Sequence, residues 1–430
     1  MGESIQKVLR GQIIKLKPEA SELKPIEDFT KHFIAQLEKE IKLYKIDADV
    51  FLGGSFAKGT FLKSDTYDVD VFVRFGWKYV QLSDTLGKIV ASLCKKIKLR
   101  SEIIHGSRDY FRVYHPHSKG YFEIIPVTKI KKPQEERNVT DLTYFHGPYV
   151  IKRIKKLEDQ VRLAKQFFKA QRVYGAETYV RGFSGYTVEL LIIKYKSFLK
   201  LIKEILKFDS TQRAVIDIEK AYKNKNDVFI HVNEAKLHSP IILIDPTYKE
   251  RNALAALSSG SLAKLQNSIR LFLKKPSMEF FVIREPDGKT LKKNAIKKKH
   301  EFLSINLTTD KQHGDIAGTK LKKFAEVLHR EINTVFDVKN TEFYYSGEQT
   351  GKFYITLAPK KEIIRIGPPV EMKKHAARFK AQHSSTFVKN KRIHARLPVM
   401  KDAKAFLHSW KLANKKMVAQ MHIVSLKMDN

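Results

Sequence analysis

The sequence of 430 residues predicts a multidomain protein that combines α/β and α+β domains. The chain is longer than one hydrophobic core usually serves, and 43% of its residues are hydrophobic, so several well-filled cores are expected. Strand-like and helix-like patterns alternate through residues 1–145, a helical pattern dominates residues 146–275, and residues 276–430 return to mixed patterns. These three ranges are the predicted domains.

Short extended segments predict the first domain. "DADVFL" and "VDVFVRF" are predicted strands, "GGS" is a turn between them, and "FAKGTFL" starts a short helix. "YFRVYH" and "YFEIIPV" predict a hairpin, because Pro, Ser and Gly in "PHSKG" separate two alternating runs. His115 and His117 flank this turn, and we interpret them as surface histidines because no third metal ligand accompanies them.

A helical pattern predicts the second domain. In "EDQVRLAKQFFKAQR", Val161, Ala164, Phe167 and Phe168 recur at helical spacing and form one apolar face. "SGYTVELLIIKYKSFLKLIKEIL" predicts one long buried helix or a helix pair. "IILIDPT" ends an extended run, after which "ERNALAALSSGSLAKLQNSIRLFLKK" predicts a return to helix.

The segment "KKPSMEFF", near residue 275, predicts a domain boundary. Beyond it, "FLSINLT", a helix through Leu321, Phe324, Leu328 and Ile332, "TEFYYS" and "GKFYITLA" give a strand, helix, strand, strand order. This order is typical of small RRM-like α/β modules that contact RNA. The final sixty residues are basic and are predicted to be helical in part.

The charge of the chain indicates a polyanionic partner. Lys and Arg number 81 against 46 Asp and Glu, a formal net charge of +35 that is spread along the chain. No run approaches the ~18 apolar residues of a membrane span, so we expect nucleic acid and no membrane. The single cysteine, Cys94, excludes an internal disulfide, suits a reducing cytoplasm and is expected to be buried on a helix.

Three carboxylates are the candidate metal ligands. Residues two apart on a strand point to the same face, so Asp68 and Asp70 stand side by side while Val69 and Val71 point into a core. Glu123 is a carboxylate within an otherwise apolar strand, where an unpaired charge would be costly to bury. Oxygen ligands without imidazole favour Mg²⁺, and two-metal phosphoryl transfer uses carboxylates of this kind. The alternative for Glu123 is a solvated face or an ion pair with a lysine.

The glycine turn is the candidate phosphate site. Gly53 and Gly54 allow the backbone to approach a ligand closely, and a helix that follows would direct N–H groups outward. Ser55 adds a hydroxyl and Lys58 a mobile cation. A "GGS" turn occurs in many proteins, but its combination with "DVD" on a following strand favours a triphosphate held by the turn.

Together these residues resemble the nucleotidyltransferase superfamily that includes DNA polymerase beta: a Gly-Ser turn, paired carboxylates and a third acid on a later strand. "TYFH", "YGAETYVRGFSGYTVELLI", "DPTYKERNALAAL" and "RIGPPVEM" follow in the order of archaeal-type (class I) CCA-adding tRNA nucleotidyltransferases. The resemblance covers nearly the whole chain, and "RGFSGY" with "ELLI" is specific to that group. It implies a polymerase-beta-like head with a mixed sheet, a helical neck, an RRM-like α/β body and a basic helical tail.

The resemblance implies an enzyme that adds C, C and A to tRNA 3′ ends without a nucleic-acid template, using CTP and ATP. Three acids bind two Mg²⁺ ions in such enzymes, which matches Asp68, Asp70 and Glu123. The family often has Glu first and Asp third, so the order here is reversed. The basic C-terminal half is expected to bind the acceptor stem and T arm of tRNA, and the sequence leaves a homodimer open.

Nucleotide-binding residues also follow from the resemblance. The matching positions are Gly54, Ser55, Lys58, Lys165 and Tyr174 for the triphosphate, Thr143 and His146 near the incoming nucleotide, and Arg251 for the base. Lys58 stands where an arginine is common, and Tyr144 replaces a proline. Without the resemblance, Lys165 would be interpreted as a solvated helix lysine and Tyr174 as a packing residue.

Base chemistry also supports a base-reading role for Arg251, apart from the resemblance. Adenine and cytosine each present a ring-nitrogen acceptor beside an amino donor, whereas guanine and uracil present a ring N–H beside a carbonyl. A fixed Arg donor therefore accepts A and C and leaves unpaired groups with G or U, at ~1–3 kcal/mol for each buried unsatisfied group. The alternative is a helix-start arginine paired with Asp245 or Glu250.

Two other functions remain open from the sequence. A poly(A) polymerase or an oligoadenylate synthase would share the carboxylates but would not stop after CCA. A non-catalytic RNA-binding protein on the same fold would keep the basic surface, although the intact carboxylate triad argues against it.

Overall fold

A computed structural model of the chain describes residues 4–63, 66–116, 120–209 and 212–429. The chain divides into two compact units, Met1–Arg284 and Glu285–Asn430. None of the helices in the described ranges combines the length and the apolar character that a bilayer crossing requires. Helices and sheets are mixed in both units, which confirms the predicted mixed α/β content.

A five-stranded sheet forms the N-terminal part of the first unit. Its elements in chain order are α1 (Ile5–Leu16), α2 (Ala20–Leu43), β1 (Ala48–Leu52), α3 (Gly54–Ala57), β2 (Asp68–Phe75), α4 (Leu82–Ile97), β3 (Ser101–Ile104), β4 (Tyr110–Tyr114) and β5 (Tyr121–Thr128). The strand order is β1-β2-β5-β4-β3. Strands β2 and β5 run parallel, whereas the other neighbours are antiparallel.

Alternation along β2 decides which face of this sheet is buried. Val69, Val71, Val73 and Phe75 are at most 2% exposed and pack with apolar residues of α2 and α4. Cys94 belongs to the same core on α4 and is 5% exposed, as predicted. The polar residues of β2 therefore belong to the opposite face.

The rest of the first unit is mainly helical. Its elements are α5 (Thr143–Ile154), α6 (Glu158–Ala170), α7 (Gly185–Tyr195), α8 (Phe198–Ile205), β6 (Ala214–Ile216), α9 (Lys225–His231), β7 (Ile241–Asp245), β8 (Tyr248–Asn252) and α10 (Ser259–Lys274). The predicted apolar face of α6 is fully buried. Helices α7 and α8 are the helix pair: Lys196 ends α7 with a φ of +67°, and the Ser197 side chain caps α8.

The second unit contains two antiparallel sheets. Its elements are α11 (Gly288–Lys297), β9 (Glu301–Thr309), α12 (Asp315–Val335), β10 (Phe336–Tyr345), β11 (Thr350–Pro359), β12 (Ile363–Pro369), α13 (Lys373–Ala381), β13 (Thr386–Lys389), β14 (Arg392–Leu397), α14 (Ala403–Ala413), α15 (Lys415–Gln420) and β15 (Ile423–Met428). The sheets have the orders β10-β11-β9-β15 and β12-β14-β13. The predicted strand, helix, strand, strand order is present in β9, α12, β10 and β11. The final sixty residues contain strands as well as helices and are only partly helical.

Two predicted helices differ from the observed elements. Helix α3 begins inside the glycine turn and has only four residues. Residues 248–252 form β8, although the sequence predicts helix from Glu250, and helix resumes only at Ser259. Hydrogen bonds from the backbone to two side chains stabilise a β7–β8 hairpin here instead of a helix. Asp245 Oδ1 accepts from the Thr247 N–H at 2.9 Å, and Asn252 Oδ1 accepts from the Leu243 N–H at 3.0 Å.

The two predicted surface histidines have different outcomes. The His115 ring lies 4.3 Å from the Phe29 ring and is half-buried, so His115 is not the surface residue that was predicted. His117 lies outside the described residues, as does most of the predicted turn.

Candidate active site

Two neighbouring strands place the three predicted metal ligands on one face of the sheet. Asp68 and Asp70 lie on β2, and in the parallel register Asp70 is opposite Glu123 on β5. Val69 and Val71 point the other way, with exposures of 2% and 0%. The three carboxylates therefore share the face opposite α2 and α4.

An arginine on the adjacent strand pairs with Glu123. Arg112 of β4 is opposite Glu123 in register, and its guanidinium donates to Glu123 Oε1 at 2.8 Å and to Glu102 Oε1 at 3.4 Å. Glu123 is thus ion-paired, as one sequence alternative held, but with an arginine instead of a lysine. Within the described ranges, no three Asp, Glu, His or Cys side chains are grouped so that they could hold a metal ion.

Asp70 shows the effect of the crowded carboxylates. Burial, followed by the neighbouring charges of Glu123 and Asp68, raises the pKa of Asp70 to about 7, although Lys58 and Lys165 oppose the shift. Carboxylate oxygens are the ligands that hard divalent cations prefer. The described residues on this face therefore have the right chemistry for a divalent cation, although their side chains are not grouped around one metal position.

The glycine turn stands directly against these carboxylates. Gly54 has a φ of +61°, and a Cβ there would lie 1.5 Å from Asp70 Oδ2. The Gly53 N–H donates to the Asp70 carbonyl oxygen at 3.0 Å, which joins the turn to β2. Ser55 lies in α3, and Lys58 follows the end of that helix. Only glycine combines this φ with this close approach.

Lys58 and Lys165 meet at a buried glutamate that the sequence analysis did not single out. Glu189 of α7 accepts Lys58 Nζ on Oε2 at 2.5 Å and Lys165 Nζ on Oε1 at 3.1 Å. The Thr60 hydroxyl donates to Glu189 Oε1 at 2.7 Å and accepts from Lys165 at 3.0 Å. We call Lys58, Thr60, Lys165 and Glu189 the lysine cluster. Burial opposes ionisation of Glu189, but the charges of Lys165 and Lys58 outweigh it and lower the pKa of Glu189.

Tyr174 lies beside the lysine cluster. A Cβ built at Gly185, the first residue of α7, would be 2.8 Å from the Tyr174 hydroxyl oxygen and 4.0 Å from Lys165 Cε. Burial, followed by the charge of Glu189, raises the pKa of Tyr174. Lys169, one helical turn after Lys165, has its Nζ 5.2 Å from the centre of the Tyr174 ring. Lys169 is a further cation at this point that the sequence analysis did not identify.

A second polar group forms around Asp245 of β7. Arg251 Nη1 donates to Asp245 Oδ2 at 2.7 Å, so the predicted alternative partner of Arg251 is present, although Arg251 lies on strand β8 and not at a helix start. The Tyr186 hydroxyl donates to Asp245 Oδ1 at 2.9 Å. Burial opposes ionisation of Asp245, but the hydrogen bond from His146 and the charge of Arg251 hold its pKa below the usual value.

His146 is the third partner of Asp245. Its Nε2 lies 2.9 Å from Asp245 Oδ2, and its ring stacks on Tyr186 at 3.9 Å. Burial lowers the pKa of His146, so the ring is neutral near pH 7 and Nε2–H donates to the carboxylate. Thr143 begins the same helix, α5, and is half-buried.

Apart from Thr143, the predicted site residues fall into two groups, and the charge of Lys58 acts on both. The first group is the carboxylate face with the glycine turn, the lysine cluster and Tyr174. The second is the Asp245 group with Arg251 and His146. The charge of Lys58 opposes the raised pKa of Asp70 and also lowers the pKa of His146, so Lys58 acts on both.

Comparison with known proteins decides the family. Residues 34–217 match the model of the nucleotidyltransferase domain, and residues 159–282 match that of the second domain of tRNA nucleotidyltransferases. A CCA-adding enzyme of Nanoarchaeum equitans is 33% identical over 374 residues, which cover 84% of this chain and 87% of that protein. The chain belongs to the CCA-adding enzyme family.

Other members of the CCA-adding enzyme family match over similar lengths. The enzyme of Methanocaldococcus jannaschii is 28% identical, covering 91% of this chain and 87% of that protein. The enzyme of Methanosarcina mazei is 29% identical, covering 86% of this chain and 80% of that protein. The sequence-based resemblance is confirmed, and membership implies nucleotide substrates and the use of a divalent cation.

Solved structures agree with the nucleotidyltransferase fold. Cid1, described as an RNA terminal uridylyl transferase, superposes with a TM-score of 0.51 over 66% of this chain and 99% of Cid1, at 13% sequence identity. A similarity at this identity shows the fold of the matched part and nothing about its substrate.

Proposed function

We propose that this CCA-adding enzyme uses Asp68, Asp70 and Glu123 as its catalytic carboxylates and two Mg²⁺ ions to join CMP, CMP and AMP to the tRNA 3′ end. The observation that carries the proposal is the position of Asp70, opposite Glu123 in the register of β2 and β5 and in contact with the turn at Gly54. Its pKa of about 7, raised by burial and then by the charges of Glu123 and Asp68, indicates that Asp70 lacks compensating positive charge. Bound Mg²⁺ would supply that charge, lower the pKa of the 3′-hydroxyl and neutralise the departing pyrophosphate.

The other site residues are proposed to position the nucleotide. Gly54 lets the turn approach Asp70 closely, and Ser55, Lys58, Lys165 and Tyr174 would contact the triphosphate. No covalent enzyme intermediate is needed, because the 3′-hydroxyl can attack the α-phosphate directly and pyrophosphate leaves from the other side.

The Asp245 group is proposed to read the base. Arg251 has five N–H donors, and Asp245 holds its guanidinium through Nη1 at 2.7 Å. A guanidinium anchored in this way offers a fixed donor to the ring-nitrogen acceptor of adenine or cytosine, while guanine and uracil present an N–H there. His146 and Tyr186 hold Asp245 from its other sides, and Thr143 lies on the helix that carries His146. One pocket could then serve both CTP and ATP.

The domain assignment remains part of the proposal. Residues 1–145 would form the catalytic head, residues 146–275 the neck that carries nucleotide-binding side chains, and residues 276–430 an RRM-like body and basic tail. The body and tail would bind the tRNA acceptor stem and T arm through phosphate contacts, either in one chain or in a homodimer. The order of β9, α12, β10 and β11 and the net charge of +35 support this assignment. A cytoplasmic location suits a tRNA substrate.

The test is incorporation into tRNA that lacks its terminal CCA. The protein is incubated with each labelled NTP and Mg²⁺, and the product is sized. We expect CMP and AMP to be added and synthesis to stop after CCA, and Asp70→Ala to abolish addition. Long A tails would instead indicate a poly(A) polymerase, and wild-type rates in Asp70→Ala would contradict the proposed carboxylate role.

A further inference from the structure

We propose that Glu189 is a positioning residue of the triphosphate site, which joins the ammonium groups of Lys58 and Lys165 into one preformed phosphate-binding pair. The inference rests on the proposed function, because it assumes that these lysines bind the triphosphate. It adds a residue that does not touch substrate and acts through the two cations.

The contacts of Glu189 use both carboxylate oxygens. Oε2 accepts a hydrogen bond from Lys58 Nζ at 2.5 Å. Oε1 accepts from Lys165 Nζ at 3.1 Å and from the Thr60 hydroxyl at 2.7 Å. Lys165 Nζ also donates to Thr60 Oγ1 at 3.0 Å. The two lysines come from different elements, the end of α3 and the middle of α6, so a single carboxylate on α7 fixes their separation. Long lysine side chains lose much rotational freedom when they are fixed in advance, which lowers the entropic cost of binding an anion.

Burying three charged side chains costs free energy, so the lysine cluster suggests a role other than stability. The side chains of Glu189, Lys165 and Lys58 are 0%, 4% and 10% exposed. Replacing a buried ion pair by apolar residues often stabilises a protein, so a buried ion cluster is weak evidence for a role in stability. Two ammonium groups and one carboxylate leave a net positive charge, and a polyanionic ligand would complete the balance.

The position of the cluster connects it to the reaction. The charges of Lys58 and Lys165 both oppose the raised pKa of Asp70, so the cluster lies within electrostatic reach of the carboxylate face. Gly185, one helical turn before Glu189, lies close to Tyr174 and Lys165. The start of α7, with the sequence "GYTVELLI", thus brings Glu189, Tyr174 and Lys165 together, and this explains why its glutamate is placed inside an apolar helix.

The experiment measures binding of inorganic pyrophosphate by calorimetry, which requires no turnover. In Glu189→Gln the side chain keeps its shape but loses its charge, and an NH2 donor replaces one of the two oxygens that accept from Lys58 and Lys165. We expect pyrophosphate affinity to fall by about 10-fold or more, the effect of losing a charge-assisted hydrogen bond, and KM for CTP and ATP to rise by the same factor. AMP, which has no β- or γ-phosphate, should bind with unchanged affinity.

The matched control is Glu40→Gln. Glu40 is also a buried carboxylate of the first unit, 3% exposed, and accepts from Lys96 at 2.7 Å and from Ser92 at 2.6 Å. It belongs to α2, away from the predicted site, so its variant should lose stability without losing pyrophosphate affinity. A purely structural Glu189 would behave like Glu40, and that result would overturn the proposal. Tighter pyrophosphate binding in Glu189→Gln would also overturn it, because it would show that Glu189 competes with phosphate.

A second variant decides the question if Glu189→Gln does not fold. Thr60→Val removes the hydroxyl that bridges Glu189 and Lys165 and leaves every charge in place. We expect it to weaken pyrophosphate binding by a smaller factor, while unchanged binding would overturn the proposal. Failure of the wild-type protein to extend tRNA would contradict the proposed function instead, and the pyrophosphate measurements separate the two outcomes.

Discussion

Asp70 has a pKa well above the usual value for an aspartate. Its pKa is raised from 3.8 to about 7, first by burial and then by Glu123 and Asp68. A group whose pKa is higher in the folded state stabilises the fold at low pH, and this stabilisation is lost as pH rises to the folded pKa. The window for Asp70 therefore lies between about pH 4 and pH 7.

The first prediction concerns the metal-free protein in that window. With EDTA present, the free energy of unfolding of the wild type should fall relative to Asp70→Asn as pH rises, by an amount on the order of 2–4 kcal/mol. Urea denaturation of both proteins between about pH 5 and about pH 8 measures the difference. Parallel curves for the two proteins would contradict the raised pKa.

The second prediction concerns Arg112. Arg112→Met removes the cation from Glu123, so divalent cations should bind more tightly while the metal-free protein becomes less stable. Titration calorimetry with Mn²⁺ measures the affinity, and thermal unfolding in EDTA measures the stability. The control is Arg74→Met, since Arg74 forms a similar ion pair with Asp49 at 2.8 Å on β1 and β2. Equal metal affinity in the two variants would show that Arg112 does not compete for Glu123.

At the scale of the element, two glycines around α3 show which positions of the turn require glycine. Gly54 and Gly59 have nearly the same positive φ, +61° and +64°, but a Cβ at Gly54 would meet Asp70 at 1.5 Å, whereas at Gly59 it would meet nothing within 4 Å. The two positions therefore separate the cost of backbone conformation from the cost of a clash.

The third prediction uses this pair. Gly59→Ala should cost only the conformational penalty of about 1–2 kcal/mol of unfolding free energy. Gly54→Ala should cost more and also abolish nucleotide addition, because Asp70 must move away from the turn. Chemical denaturation and the tRNA extension assay measure both effects. Equal losses in the two variants would mean that contact with Asp70 has no role.

Several elements could be predicted from the sequence because one physical signal dominated each of them. The first four residues of strand β2 alternate between polar and apolar, and Val69 and Val71 are buried as that alternation requires. Helix α6 has one apolar face that is wholly internal. The segment "YKERN" of β8 has no such signal, because its strand pairing depends on the side-chain turns at Asp245 and Asn252.

Parts of the site were not predictable for a related reason. Arg112 pairs with Glu123 through the register of β4 and β5, and a sequence does not specify that register. Glu189 looks like an ordinary helical glutamate, and only its burial against two lysines from other elements distinguishes it. Asp70 and Gly54 were predicted as site residues, but their contact depends on the path of the turn.

At the scale of the whole molecule, the positive net charge is expected to attract tRNA. The formal net charge of +35 gives long-range attraction to a polyanion, and phosphate contacts release bound counterions. Nucleotide binding is proposed to use a few fixed groups at short range, so tRNA and nucleotide binding should respond differently to ionic strength.

The fourth prediction follows from that difference. The Kd for tRNA should rise by about 10³-fold or more between 50 and 200 mM salt, as expected for six or more phosphate contacts. Fluorescence anisotropy with labelled tRNA measures the slope, and ATP binding under the same conditions is the control. A tRNA slope no steeper than that for ATP would contradict a phosphate-dominated interface.

The predicted site residues are far apart in the sequence, so they are synthesised at different times. The carboxylates, the lysine cluster and the Asp245 group are contributed by residues between Gly54 and Arg251, and β2 pairs with β5 across a crossover that contains α4, β3 and β4. Because domains emerge from the ribosome N-terminus first, the residues of the carboxylate face are made well before the hairpin that carries Arg251. A ribosome-bound chain that ends before β7 therefore contains every acid proposed to hold metal but lacks the arginine proposed to distinguish one base from another.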